Sequence, residues 1–139
     1  MKFRGLGHVS IVVPDLAVAA DALRSKYGLE AGPVAVNEAQ GVRICYVDLG
    51  NAKIELMEPS RAGSPVAKFL ERNPRGGIHH LCLSVDDVAQ TAASAKARGI
   101  RVLGTGAERN VHGAPIAFVH PADFLGALVE LEQGDRNDE

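Results

Sequence analysis

The strongest constraint on the fold of this chain is an internal repeat. Residues 8–16 and residues 80–88 both begin with His, continue with alternating aliphatic and small residues, and reach an Asp before the next apolar position. An Ala-rich stretch with helical spacing follows each segment and is closed by Gly28 or Gly99. Further strand-like runs come after each helix, at residues 44–47 and 53–57 in the first half and at 116–119 and 128–132 in the second. The order βαβββ is therefore predicted twice.

The same pattern predicts the limits of the elements. Asp15 is an N-cap candidate for a helix over 16–27, and Asp86 or Asp87 is one for a helix over 88–98. A short helix is expected over 64–73, with Ser64 as its N-cap and Pro65 at its first position. We predict one α+β domain over residues 1–139, with a first module at about 5–58, a linker at 59–77 and a second module at about 78–133. The residues from Gly134 form a polar tail that we expect to be frayed.

Each module begins with a histidine and ends with a glutamate. His8 and Glu55 are 47 positions apart, and His80 and Glu130 are 50 positions apart. Because side chains alternate along a strand, all four point to the face opposite the aliphatic residues that the following helix covers. Packing of the modules about a pseudo-two-fold axis would bring the four into one cleft.

Two imidazoles with one or two carboxylates suit Zn²⁺, Co²⁺, Mn²⁺, Ni²⁺ or Fe²⁺. We therefore predict a metal site at which His8, His80, Glu55 and Glu130 are the candidate ligands. His79 should face away from His80 and have a structural role or a supporting position behind the metal ligands. His112 and His120 are followed closely by proline and are interpreted as turn residues, although His112 could also reach a ligand.

Charge and cysteine content limit the other functional classes. A net charge of −2 gives no basic excess, so nucleic acid is not an expected partner. No apolar run reaches the roughly 18–20 residues of a membrane span, and the N-terminal residues lack the apolar stretch of a signal peptide. Cys45 and Cys82 lie in apolar, strand-like runs and are expected to be buried free thiols, with a disulfide or a ligand role as alternatives. We expect a cytoplasmic location.

Several motifs resemble the vicinal oxygen chelate, or glyoxalase, superfamily and, within it, the methylmalonyl-CoA epimerases. The most specific are the run Lys-Ile-Glu-Leu-Met-Glu-Pro at 53–59 and Gly-Ile-His-His at 77–80. The other matching segments are residues 7–16, 64–70 and 128–133, and the resemblance extends over roughly residues 5–133. It implies paired βαβββ modules that form a cupped mixed sheet around a metal, with His8, His80 and Glu130 at the family's ligand positions.

The resemblance also implies an activity. The reaction would interconvert (R)- and (S)-methylmalonyl-CoA in propionate metabolism by removing the α-proton and forming a metal-stabilised enolate. Glu130 and Glu55 are the candidate catalytic groups on the two faces of the carbon. Co²⁺ is expected to be the most active metal, with Mn²⁺, Zn²⁺, Ni²⁺ and Mg²⁺ as alternatives. The implied substrate is a small acyl-CoA, and the implied assembly is a homodimer.

The chain departs from the family pattern at three positions. Ala114 and Ala122 stand where many members carry lysine, and Ile44 stands where some carry an acidic residue. Two other functions therefore stay open: a glyoxalase-type lyase or isomerase that acts on a thiol adduct, and a metal-free small-molecule binding protein of the same fold.

Overall fold

A computed structural model describes residues 1–134, so most of the polar tail predicted from Gly134 lies outside the described residues. In chain order the elements are β1 Phe3–Val12, α1 Leu16–Tyr27, β2 Ala35–Asn37, β3 Val42–Asp48, β4 Lys53–Pro59, α2 Pro65–Arg72, β5 Gly77–Val85, α3 Val88–Ala97, β6 Val102–Leu103, β7 Ile116–Val119, a short 3-10 helix Pro121–Asp123 and β8 Val129–Gln133. This is βαβββ twice, with α2 between the repeats. The predicted α+β class and repeat order are confirmed.

The helices begin at the predicted capping residues. Asp15 accepts a hydrogen bond from the Val18 amide at 3.0 Å, and Ser64 accepts one from the Ala67 amide at 3.2 Å. The sequence left two candidates for α3, and the structure selects Asp87, whose carboxylate accepts from the Gln90 amide at 2.9 Å. Each side chain satisfies an amide that has no partner within its own helix.

The chain divides into two compact units. The split unit contains Met1–His8 together with His80 and the residues that follow it, and the continuous unit is Val9–His79. The module limits that we predicted from the repeat stay a prediction. The unit division matters for function because it groups His8 with the second half of the sequence.

Strand pairing is mixed. In the continuous unit, β2, β3 and β4 pair in an antiparallel order, with Tyr46 of β3 opposite Glu55 of β4. In the split unit the order is β5-β8-β7-β6, in which β5 and β8 are parallel and the other pairs are antiparallel. In this register Cys82 and Phe118 lie opposite Glu130 on either side of β8.

Each unit has its own hydrophobic core, and each core includes the helix that follows the His strand. In the continuous unit Ile11 and Val13 pack against a cluster that contains Leu16 of α1. In the split unit Leu83 and Val85 pack with Val88 of α3. The predicted burial of these aliphatic faces by the following helix is confirmed. The faces that carry His8, Ser10 and His80 are also buried.

Within residues 1–134, no helix combines the length and the apolar composition that are needed to cross a membrane.

Candidate metal centre

Three polar side chains meet inside the split unit. His8 comes from β1, His80 from β5 and Glu130 from β8, and they are only 3%, 5% and 4% exposed. Buried imidazole and carboxylate groups are costly unless they are paired with each other or with a metal. The three residues that the sequence predicted as metal ligands are therefore brought together in one buried cluster.

The donor atoms of this cluster are close enough to bind one ion. His80 Nε2 lies 2.8 Å from Glu130 Oε2, His8 Nε2 lies 3.4 Å from the same oxygen, and the two Nε2 atoms are 3.4 Å apart. Ligand atoms at about 2.0–2.1 Å from one cation are separated by about 2.8–3.4 Å at octahedral or tetrahedral angles. The residues fit a divalent cation in the N,N,O set that suits Zn²⁺, Co²⁺, Mn²⁺, Ni²⁺ or Fe²⁺.

The electrostatics keep Glu130 in the form that a metal requires. Burial by itself raises the pKa of Glu130, but hydrogen bonds and charge interactions with His8 and His80 outweigh it and lower that pKa to about 2. The carboxylate is therefore ionised at neutral pH. An ionised carboxylate beside two imidazoles supplies the charge that a bound divalent cation would neutralise.

Two further residues of the split unit lie against the cluster. The Phe118 ring packs edge-on against the His80 ring, with centroids 5.6 Å apart, and limits the orientation of that imidazole. The side chain of Cys82 is fully buried, and its sulfur lies within 4.8 Å of ligand atoms of His8 and Glu130. The sequence placed Cys82 on the His80 face by strand alternation, whereas the contact of Phe118 depends on strand register.

Glu55, the fourth predicted ligand, lies in the continuous unit. It is 4% exposed, and both carboxylate oxygens accept hydroxyl hydrogen bonds. Ser10 donates to Oε1 at 2.8 Å and Tyr46 donates to Oε2 at 2.8 Å. The ammonium group of Lys53 lies 5.9 Å from the centre of the Tyr46 ring. Sequence reasoning placed Ser10 on the His8 face but missed Tyr46, because its contact follows from the β3–β4 register.

The other predicted residues have structural surroundings. The His79 ring packs edge-on against Phe69 at 5.2 Å, in agreement with its predicted structural role. His112 lies in a turn, where its amide donates to the Asn110 side chain, and His120 caps the 3-10 helix through the Ala122 amide. Cys45 and Cys82 are both buried free thiols, as predicted.

Comparison with known proteins identifies the family. The Glyoxalase/Bleomycin resistance protein/Dioxygenase superfamily matches residues 7–118. The ethylmalonyl-CoA/methylmalonyl-CoA epimerase of Cereibacter sphaeroides is 48% identical over 92% of this chain and 96% of that protein. The chain belongs to the methylmalonyl-CoA epimerase family. The mitochondrial methylmalonyl-CoA epimerase of Bos taurus is 43% identical over 92% of this chain and 73% of that protein.

Solved structures of methylmalonyl-CoA epimerases share the fold. The enzyme from Mycobacterium tuberculosis has a TM-score of 0.89 and 32% identity, over 96% of this chain and 89% of that chain. A methylmalonyl-CoA epimerase in complex with methylmalonyl-CoA and NH4+ has a TM-score of 0.88 and 34% identity, over 97% of both chains. The family resemblance deduced from the motifs is confirmed, and the family is one of epimerases, which are isomerases.

Proposed function

We propose that this protein is a metal-dependent epimerase that interconverts (R)- and (S)-methylmalonyl-CoA. The observation that carries the proposal is the buried His8–His80–Glu130 cluster in a chain that is 48% identical to an epimerase of this class. The proton to be removed lies α to a thioester and a carboxylate, so its loss produces an enolate. A bound divalent cation would supply a Lewis acid for that negative charge. Co²⁺ is the proposed activating metal, with Mn²⁺, Zn²⁺, Ni²⁺ and Mg²⁺ as alternatives.

The remaining chemistry belongs to the protein's own groups. His8, His80 and Glu130 would hold the cation, and their burial would exclude water from the developing charge. Epimerisation requires a proton acceptor on one face of the carbon and a proton donor on the other. The repeat makes Glu55 the counterpart of Glu130, and this sequence relation supports the assignment of both as proton-transfer groups, with Glu55 also a candidate fourth ligand.

We extend the proposed substrate to ethylmalonyl-CoA. The Cereibacter sphaeroides relative, which matches over nearly its whole length, is named for both acyl groups. One extra methylene in a pocket changes the free energy of discrimination by only about 1–3 kcal/mol. Both substrates should therefore be turned over, and their kcat/KM values can be compared directly. We further propose a cytoplasmic homodimer.

Proton exchange measured separately from inversion tests the mechanism. Metal-free protein is reloaded with a defined cation, incubated in D₂O with one epimer, and followed for deuterium at C2 and for formation of the other epimer. Wild type should do both. Glu55→Gln should lose inversion more than exchange, since a single remaining base can still exchange the proton it removes. Glu130→Gln also removes a proposed metal ligand and should lower both exchange and inversion.

The same assay can overturn the proposal at two levels. Full inversion by Glu55→Gln would exclude Glu55 as the second proton-transfer group. The absence of exchange with any of the five cations would exclude the epimerase function and favour the glyoxalase-type alternative. If metal-free protein, kept in the presence of a chelator, exchanges the proton as fast as metal-loaded protein, metal dependence is contradicted.

A further inference from the structure

Cys82 completes a second set of three donors in the split unit. His8, Cys82 and Glu130 each offer a ligand atom, these atoms lie within 4.8 Å of one another, and all three residues are buried. His80 lies beside His8 and Glu130 at 3.4 and 2.8 Å. Two ligand sets therefore share His8 and Glu130 and differ in whether the third donor is an imidazole nitrogen or a sulfur.

The position of the sulfur follows from the sheet. Cys82 is two residues after His80 on β5, so their side chains share a face, and it lies opposite Glu130 in the parallel register of β5 and β8. On the neighbouring β1, Gly7 leaves room for the thiol, because a Cβ there would lie 3.2 Å from Cys82 Sγ. The sulfur is thus held beside the donors by backbone geometry.

We propose that a strongly thiophilic cation such as Cd²⁺ binds the His8–Cys82–Glu130 set through the Cys82 sulfur. This inference rests on the proposed metal centre. Ligand atoms on one ion are at most about 4.4 Å apart, the sum of a bond to sulfur of about 2.3 Å and one to nitrogen of about 2.1 Å. The three donors, which lie within 4.8 Å of one another, would have to approach by at most about 0.4 Å to reach that limit. The thiol proton leaves to solvent as the sulfur–metal bond forms.

The softness of the cation then decides whether its third ligand is the Cys82 sulfur or the His80 nitrogen. Thiolate favours soft ions such as Cd²⁺, whereas the harder Mn²⁺ and Mg²⁺ prefer oxygen donors to sulfur. Hard cations should use His8, His80 and Glu130 and leave Cys82 as a thiol. Cys82 is therefore inferred to determine metal specificity, and it gives thiophilic metals a binding mode that the hard cations do not share.

The test uses metal-free protein titrated with Cd²⁺ and followed by ultraviolet absorption. Wild type should develop a sulfur-to-metal charge-transfer band that saturates at one equivalent. Cys82→Ser and Cys82→Ala should lack the band. Cys45→Ala is the matched control, since Cys45 is the other buried free thiol and lies in the core of the continuous unit, and it should keep the band.

Affinity provides a second readout. Cys82→Ser should bind Cd²⁺ more weakly by about 10-fold or more, with little change for Mn²⁺. Unchanged Mn²⁺ affinity also shows that the variant is folded. A band that persists in Cys82→Ser, or a wild-type protein that binds Cd²⁺ without a band, would overturn the inference alone. Failure of wild type to bind both Mn²⁺ and Cd²⁺ would overturn the proposed metal centre as well.

Discussion

At the scale of single residues, the carboxylate of Glu55 is held in one orientation. The hydroxyl groups of Ser10 and Tyr46 donate to its two different oxygens, both at 2.8 Å. A carboxylate fixed at both oxygens cannot rotate without breaking a hydrogen bond in a buried position. If Glu55 transfers a proton, Ser10 and Tyr46 are positioning residues for that step.

Replacement of Tyr46 by Phe tests this role. The variant removes only the hydroxyl group, so we expect kcat for inversion to fall between about 10- and 100-fold, the effect of misplacing a reacting group. KM should change little, because Tyr46 acts through Glu55. The ratio of deuterium exchange to inversion should rise. Tyr27→Phe is the control, since Tyr27 is 71% exposed.

Two results would argue against positioning by Tyr46. Equal losses in exchange and inversion would indicate a general structural defect, and a large increase in KM would indicate a role in substrate binding. If Tyr46→Phe unfolds at a midpoint close to that of the wild type, neither kinetic result can be explained by loss of the fold.

The sequence predicted those residues of the candidate centre that the repeat marks, but it missed those that strand pairing places there. The repeat and the two-residue period of strands predicted His8, His80, Glu130 and Glu55, because both are visible in the linear order of residues. They also placed His79 on the opposite face from His80. Tyr46 and Phe118 were missed because their contacts are set by the pairing of neighbouring strands, which the sequence pattern does not specify.

At the scale of elements, the limits of the helices were predicted more accurately than the positions of the strands, because capping residues mark helix ends. α1 begins and ends where Asp15 and Gly28 indicate, with Gly28 at φ 69° and its amide bonded to the last turn. β2 and β6 have only three and two residues and were not located from the sequence. Such short strands carry too few residues for an alternating pattern, so their existence depends on a neighbouring strand.

The 3-10 helix before β8 is fixed by an ion pair that gives a pH prediction. Asp123 accepts hydrogen bonds from the Arg101 guanidinium and the Arg101 amide, which lower its pKa to about 2 from the usual 3.8. A lowered pKa in the folded state means that the pair stabilises the fold above about pH 4. That stabilisation is lost as pH falls from about 4 towards 2.

Denaturant unfolding at several acidic pH values measures this effect. Asp123→Asn should be less stable than the wild type at pH 7, and the difference should shrink as pH falls below 4. Arg101→Met should remove the same pH-dependent difference, because the cause is the pair and not the carboxylate alone. A difference between wild type and Asp123→Asn that is constant from pH 7 to 2 would contradict the assignment.

At the scale of the whole molecule, the candidate metal centre links distant parts of the sequence. His8 and His80 are 72 positions apart and His80 and Glu130 are 50 apart, yet all three belong to the split unit. A folded chain presents these donors together, whereas an unfolded chain holds them far apart. A cation at this centre should therefore bind the native state far more strongly than the unfolded state, and should stabilise the fold as a whole.

Thermal unfolding with and without metal tests this linkage. A cation at 100 times its dissociation constant adds about 2.7 kcal/mol to the free energy of unfolding, if it binds only the native state. For a domain of this size we expect the Tm to rise by roughly 8–12 °C. His8→Ala should lose most of the increase in Tm, because the substitution removes a proposed metal ligand. His112→Ala should keep the full increase in Tm, because His112 lies in an exposed turn. An equal rise in wild type and His8→Ala would place the stabilising cation elsewhere.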